Sequence, residues 1–295
     1  MHERLWTAYG PSSWSTSMTL PTPSRALVLG GGGATGIGWL GGLIYGLRDL
    51  GIDLRNATTV FGTSAGSVTG THLRLDTPVD IAYARLNGRE PLKLGRLGVG
   101  DAERFVRGAF SGQRNHGRAI IGRAALKART STEDEFVSVV AKDLEGLDWP
   151  AERLVITTVD AVTGELTLFT NDSGVPLDRA VAASCAVPGV FPAVKIQGRH
   201  YVDGGVRSAA NVDLAIGHDA VLVLAPIPLA FRRYDRPGTQ ARRLGDGRAL
   251  VIAPDRRARA LIGFNPLDMS KAPIAITAGR EQAERVAAKV ADLWA

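Results

Sequence analysis

Between residues 60 and 67 the chain reads VFGTSAGS, which sets Ser64 between Gly62 and Gly66 at the end of an apolar run. A serine on a sharp strand-to-helix turn exposes its hydroxyl, and flanking glycines relieve the crowding of that turn. The helix that follows lends its positive end to an alkoxide. The pattern G-x-S-x-G also makes an ordinary tight turn, and with 35 glycines in the chain it arises easily by chance. Its neighbourhood has to decide. Upstream stands GGGATG, Gly31 to Gly36, between an apolar run and a stretch of helical spacing. Consecutive backbone N–H groups at a helix N-terminus hold negative charge, either the pyrophosphate of a dinucleotide or the oxyanion of an acyl transfer. A dinucleotide site also needs an acidic residue about twenty positions on, at the end of a second strand. Asp53 has the count, but RDLGIDLRN supplies no apolar strand leading into it. A P-loop is excluded, because no Lys follows the glycines at the required spacing. A glycine loop and a serine elbow on adjacent strands together describe an acyl-transfer site; the alternatives are a nucleotide-binding oxidoreductase built on GGGATG, or a lipid-binding protein with a decayed site.

A serine hydroxyl needs a base. The histidines are His2, His72, His116, His200 and His218, and none falls in a loop after a late strand, where a Ser–Asp/Glu–His order would put it. Carboxylates are the other source. YVDGG places Asp203 at the end of a short apolar run. Asp-Gly is equally the commonest hairpin-turn signal, so from residue types alone both readings of Asp203 stand.

The elements that must position these residues follow from hydrophobic pattern. RALVLG reads as a strand buried on both faces, and IGWLGGLIYGLRDLG from Ile37 as a helix capped at Gly51. ATTVFG is a second strand, ending at the serine, and SAGSVTGTHLRL is the next helix. Strand and helix alternating in this way predict a mostly parallel sheet with right-handed crossovers. Residues from 77 to about 150 read as a mainly helical insertion. RLVITTVDAVTGELTLFT predicts two strands around a turn, LDRAVAASCAV a helix ended by Pro188 and Pro192, and DAVLVLAP one more buried strand. Residues 231–259 read as a basic, irregular segment, and TAGREQAERVAAKVADLWA as an amphipathic helix.

Leu27 to Leu47 carries no charge and is long enough to span a bilayer. Gly38, Gly42 and Gly46 even make overlapping GxxxG pairs. Four consecutive glycines at 30–33, however, break a spanning helix near its start, and each interior glycine costs about 1 kcal/mol against alanine. The segment therefore reads as buried strand, glycine turn and buried helix.

In 295 residues, 45% hydrophobic content is enough for a substantial core. The expectation is one domain from 25 to 295 behind a flexible leader, 1–24, with Met18 as an alternative start. That leader lacks the apolar stretch of a secretory signal, which points to a cytoplasmic protein. The net charge of +6 favours anionic partners, an anionic membrane surface among them. A single cysteine, Cys185, excludes an internal disulfide and a thiolate metal cluster. The Arg pairs at 232–233, 242–243 and 256–257 lack the interleaved aromatics or zinc spacing of nucleic-acid modules, so no nucleic-acid partner is expected.

From about 25 to 290 the chain resembles the patatin-like phospholipases, which are lipid acyl hydrolases. LVLGGGGATGIGWLGGLIYGL is similar to that family's oxyanion block, GTSAGS to its nucleophile elbow, AVAASCAVPGVFPAV to its third block and YVDGG to its Asp-Gly-Gly motif. The resemblance implies a three-layer α/β fold, a mostly parallel sheet flanked by helices, with a helical insertion over the site. It implies that Ser64 is the nucleophile and Asp203 its partner in a dyad without histidine. The amides of Gly31, Gly32 and Gly33 would form the oxyanion hole, with Gly36, Gly62, Gly66, Gly204 and Gly205 as supporting motif positions. The implied substrates are fatty-acyl lipids or esters, with no metal and no organic cofactor. Ala186, Val187, Pro188, Gly189 and Phe191 would wall the acyl site. One departure stands out: where the family usually has Arg or Lys, this chain has Thr35.

Overall fold

RALVL forms β1 (Arg25–Leu29) in the computed structural model, which describes residues 23–77, 114–230, 232–245 and 247–295. Most of the expected leader and part of the expected insertion therefore lie outside the described residues. β2 (Thr59–Thr63), β3 (Leu154–Asp160), β7 (Ala220–Leu224) and β8 (Arg248–Ile252) join β1 in parallel. Three further strands, β4 (Leu166–Phe169), β5 (Val194–Ile196) and β6 (Arg199–Asp203), pair antiparallel. The result is one eight-stranded, mostly parallel sheet.

Alternate residues of the central strands face opposite layers, as strand pleating requires. Leu27, Leu29, Leu222 and Leu224 join a core with α1 (Gly33–Asp49), α2 (Ala65–Arg74), α5 (Leu177–Ser184) and the C-terminal α8 (Ala272–Trp294). Ala26, Val28, Val221 and Val223 face the other way, against Ala210, Val212 and Leu244. α3 (Arg114–Ala125) covers the end of the sheet near β3 and β6, and α4 (Glu133–Val140) brings Phe136 into the larger core. The architecture is three-layered α/β.

The glycines that mimic a membrane dimerisation stripe serve helix packing within the chain. A Cβ at Gly42 of α1 would lie 2.1 Å from the Ile276 carbonyl oxygen of α8, and one at Gly279 of α8 would lie 2.4 Å from the Trp39 carbonyl oxygen. The two backbones touch, and Trp39 is fully buried with its indole N–H donating to Gln282 Oε1 at 3.0 Å. Among the described residues no helix is long and apolar enough to cross a membrane.

Two element boundaries and one segment need correction. α1 starts at Gly33, not Ile37, and α8 at Ala272, five residues before the amphipathic pattern becomes plain. The segment 231–259, read as irregular, contains α6 (Pro237–Ala241), strand β8 and the start of α7 (Arg256–Ile262). RALVI of β8 is nearly a copy of RALVL in β1. Its signal was masked by flanking Arg and Gly, and as an edge strand paired only with β7 it stays half exposed.

Candidate active site

The register of β3 explains how two distant motifs meet. Along one edge, Ile156 to Val159 pair with β4. The opposite edge is shared: Leu154 to Thr157 pair with β2, and Thr158 to Asp160 pair with β6. β2 runs parallel to β3 and β6 antiparallel, so they run head to head. Thr63 stands opposite Thr157 and Asp203 opposite Thr158. Ser64, one step beyond β2, and Asp203, the last residue of β6, thus face each other across this junction. Both line the same cavity.

Ser64 caps α2 with φ 52° and ψ −119°, a left-handed backbone that a non-glycine residue adopts only under strain. The surroundings hold it there. Its N–H donates to Ser184 Oγ at 2.9 Å, and its carbonyl accepts from Ser67 Oγ at 2.7 Å. Gly66 is forced by contact, since a Cβ there would lie 2.0 Å from the Leu29 carbonyl oxygen. Gly62 is crowded by the Ser67 Cα in the same way. The elbow glycines are therefore packing requirements of α2 against β1, at Gly66, and against β2, at Gly62.

Asp203 is buried. Its Oδ1 accepts from the Gly205 N–H at 2.7 Å, and the Ser64 hydroxyl lies near enough to act on its carboxyl. Burial pushes its carboxyl up to about 6, against the opposing pull of the Ser64 and Gly205 donors. This makes it a stronger base than a solvated aspartate while leaving it ionised near neutrality. The Asp-Gly step is not a hairpin turn but opens a 3-10 turn, Gly204–Val206. The next residue, Gly204, lies so close to β3 that a Cβ would meet Thr157 Oγ1 at 2.4 Å. Buried Asn211 braces the junction, donating to Thr63 Oγ1 at 3.1 Å and to the Gly204 carbonyl at 3.3 Å.

The glycine loop follows β1 and enters α1 beside the elbow. Of its three candidate amides, that of Gly31 already donates to the Ala209 carbonyl at 2.7 Å. The amides of Gly32 and Gly33 have no acceptor among the described residues, and they stand at the positive end of α1. Pro226 and Pro266 occupy the space that side chains at Gly32 and Gly33 would need, and Gly36 lies against Ala65. Thr35 is buried, its hydroxyl turned back to the carbonyls of Gly32 and Pro266.

The cavity, about 550 Å³, opens over Ser64 and Asp203 and is walled mainly by apolar side chains, including Ile121, Val187, Pro188 and Leu267. Of the third-block residues expected at this wall, Ala186 is fully buried in the core and Phe191 stacks on Phe136 with ring centroids 4.8 Å apart. Sequence reasoning did not anticipate four arginines in the lining, Arg114, Arg118, Arg207 and Arg232. Nor did it anticipate the supports Ser184 and Asn211. Cys185 lies beside Ser67 and Asp203, where burial pushes its thiol up, so it stays protonated and unreactive.

No described histidine lines the cavity. His72 meets Asp143 at 3.1 Å and His218 meets Thr59 at 3.2 Å. Asp53, the acid a ribose would need, precedes β2 and therefore sits at the far end of the sheet from the glycine loop, clasped by Arg55. No group of three His, Cys, Asp or Glu among the described residues is arranged to hold a metal ion.

A family model for patatin-like phospholipase matches residues 27–216. An uncharacterized NTE family protein of Mycobacterium tuberculosis is 28% identical over 212 residues, covering 69% of this chain and 49% of that protein. A Mycobacterium bovis protein of the same description matches equally. The chain thus spans about half the length of the curated relatives it matches. Among solved structures, VipD from Legionella pneumophila aligns with a TM-score of 0.47 at 17% identity, over 91% of this chain and 67% of that one. The type III effector protein ExoU aligns with a TM-score of 0.35 at 18% identity, over 90% and 54%.

Proposed function

The chain belongs to the patatin-like phospholipase family, and from that premise we propose that it hydrolyses fatty-acyl esters through a Ser64–Asp203 dyad. The observation that carries this reading is the head-to-head meeting of β2 and β6, which sets a strained serine against a buried aspartate with a raised pKa. Ser64 Oγ attacks the ester carbonyl while Asp203 accepts its proton. The amides of Gly32 and Gly33 receive the oxyanion, and Gly31 keeps the loop seated on Ala209. Asp203 then protonates the leaving alcohol. In the second half-reaction it takes a proton from water, which cleaves the acyl-enzyme and restores the Ser64 hydroxyl. No metal or organic cofactor enters these steps.

Contact with an anionic membrane surface belongs to the same reading. Ile227 and Leu229 line the cavity yet are exposed, Leu229 by 69%, and Phe264, two residues before the cavity-lining Pro266, is fully exposed. Apolar side chains around an acyl cavity, on a chain of net charge +6, suit an interface of anionic headgroups.

The test is p-nitrophenyl ester hydrolysis across acyl lengths by wild type, Ser64→Ala and Asp203→Ala. Loss of at least about a thousandfold in kcat is expected for both variants, the scale of losing a catalytic dyad member. Wild-type rates retained by Ser64→Ala would refute the assignment. Liposome binding by a wild type that releases no fatty acid would mean a lipid-binding protein without turnover.

A further inference from the structure

Four guanidinium groups border one cavity, and two of them, Arg114 and Arg118, have no ion-pair partner among the described residues. Arg207 is committed to Asp213 and Asn211. Arg232 donates to Tyr234 Oη, and Arg114 lies 4.3 Å above the Tyr234 ring. Arg118, half-buried, donates to Asn115 Oδ1 at 3.0 Å. Among the described residues no carboxylate comes within 4.0 Å of Arg114 or Arg118. Asp235 also lines the cavity, a single carboxylate shared by the charges of all four arginines. Burial and the neighbouring Arg207 and Arg114 lower Arg118 from the ordinary guanidinium value. A desolvated cation beside like charges is unfavourable without a counter-anion. Yet these side chains share the cavity with Ser64 and Asp203.

We propose that Arg114 and Arg118, from one face of α3, form a subsite for the phosphate of an anionic glycerolipid whose acyl ester is presented to Ser64. The assignment rests on the hydrolase reading of the same cavity. Arg114 and Arg118 are spaced i, i+4, so their side chains leave the helix as neighbours. Two guanidinium forks match an oxyanion with several oxygens, which they hold by charge-assisted hydrogen bonds. The apolar walls suit the acyl chain. On the alcohol side of a glycerolipid ester the charged group is the phosphate, so the cations belong to that side.

The experiment compares phosphatidic acid with diacylglycerol of the same acyl chains in neutral-detergent micelles, for wild type, Arg118→Gln and the more exposed Arg114→Gln. Wild type is expected to favour phosphatidic acid in kcat/KM, and each variant to lower that preference about tenfold or more, the scale of a hydrogen bond to a charged group. An unchanged ratio in both variants, or a wild type that favours diacylglycerol, would overturn the subsite. Binding of phosphatidic acid to Ser64→Ala, with and without Arg118→Gln, separates this proposal from the hydrolase reading. If wild type hydrolyses neither lipid, the hydrolase reading fails, while weaker binding in the double variant still upholds the subsite and equal binding overturns it. Inorganic phosphate is the competitor in that assay. If it binds as tightly as the lipid, the site takes free phosphate and the headgroup assignment falls.

Discussion

Burial raises the Asp203 carboxyl from about 3.8 to about 6, so ionising it in the folded chain costs about 3 kcal/mol more than in the unfolded one. An acid with a raised folded pKa binds its proton more tightly when folded. Stability is therefore lost as pH rises from about 4 to about 6, and the deficit is constant above that. Asp203→Asn keeps an acceptor for the Gly205 amide and removes the charge. It is expected to be more stable than wild type at pH 8, by up to about 3 kcal/mol, with the difference vanishing near pH 4, as urea titrations at the two pH values would measure. The same variant should be inactive. In wild type, kcat/KM should rise with pH through a midpoint near 6, where Asp203 loses its proton. A midpoint near the solvated aspartate value of about 4 would mean that water reaches the carboxylate freely.

At the scale of elements, the site depends on β1, β2 and β6 ending at one place while α1 holds the glycine loop against its neighbours. The contact of α1 with α8 is rigid because backbone meets backbone at Gly42 and Gly279. Gly42→Ala is therefore predicted to destabilise the fold by about 3 kcal/mol or more, since a carbonyl at 2.1 Å cannot yield as a side chain can. A thermal melt matching wild type would show that α8 can move away. Much of this scaffold was legible. Buried parallel strands stand out as short apolar runs, and the glycine loop and serine elbow carry local turn chemistry. β8 was hidden because its apolar run, RALVI, is bracketed by Arg- and Gly-rich sequence. Asp203 remained ambiguous on its own residues, because Asp-Gly fits a hairpin as well as a strand end. The head-to-head register that gives it a partner is a tertiary fact. Arg114 and Arg118 were invisible for the same reason: nothing local in RNHGRAIIGRAA says which cavity that helix borders.

Over the whole molecule, excess positive charge, a mainly apolar cavity and exposed Leu229 and Phe264 belong to one surface chemistry. Binding to phosphatidylglycerol vesicles should exceed binding to phosphatidylcholine vesicles and weaken as salt is raised, because exposed charges are screened beyond about 10 Å at 0.1 M. Leu229→Ser with Phe264→Ser should weaken it further; vesicle sedimentation indifferent to salt and to both substitutions would remove the membrane contact. All of this depends on one serine of this chain, Ser64, being activated by one aspartate, Asp203. A fluorophosphonate probe tests it most directly, with the modified residue located by peptide mass spectrometry in wild type and in Asp203→Ala. Labelling is expected at Ser64 in wild type and is expected to disappear when Asp203 is removed. Labelling at another serine, or at Ser64 regardless of Asp203, would contradict it.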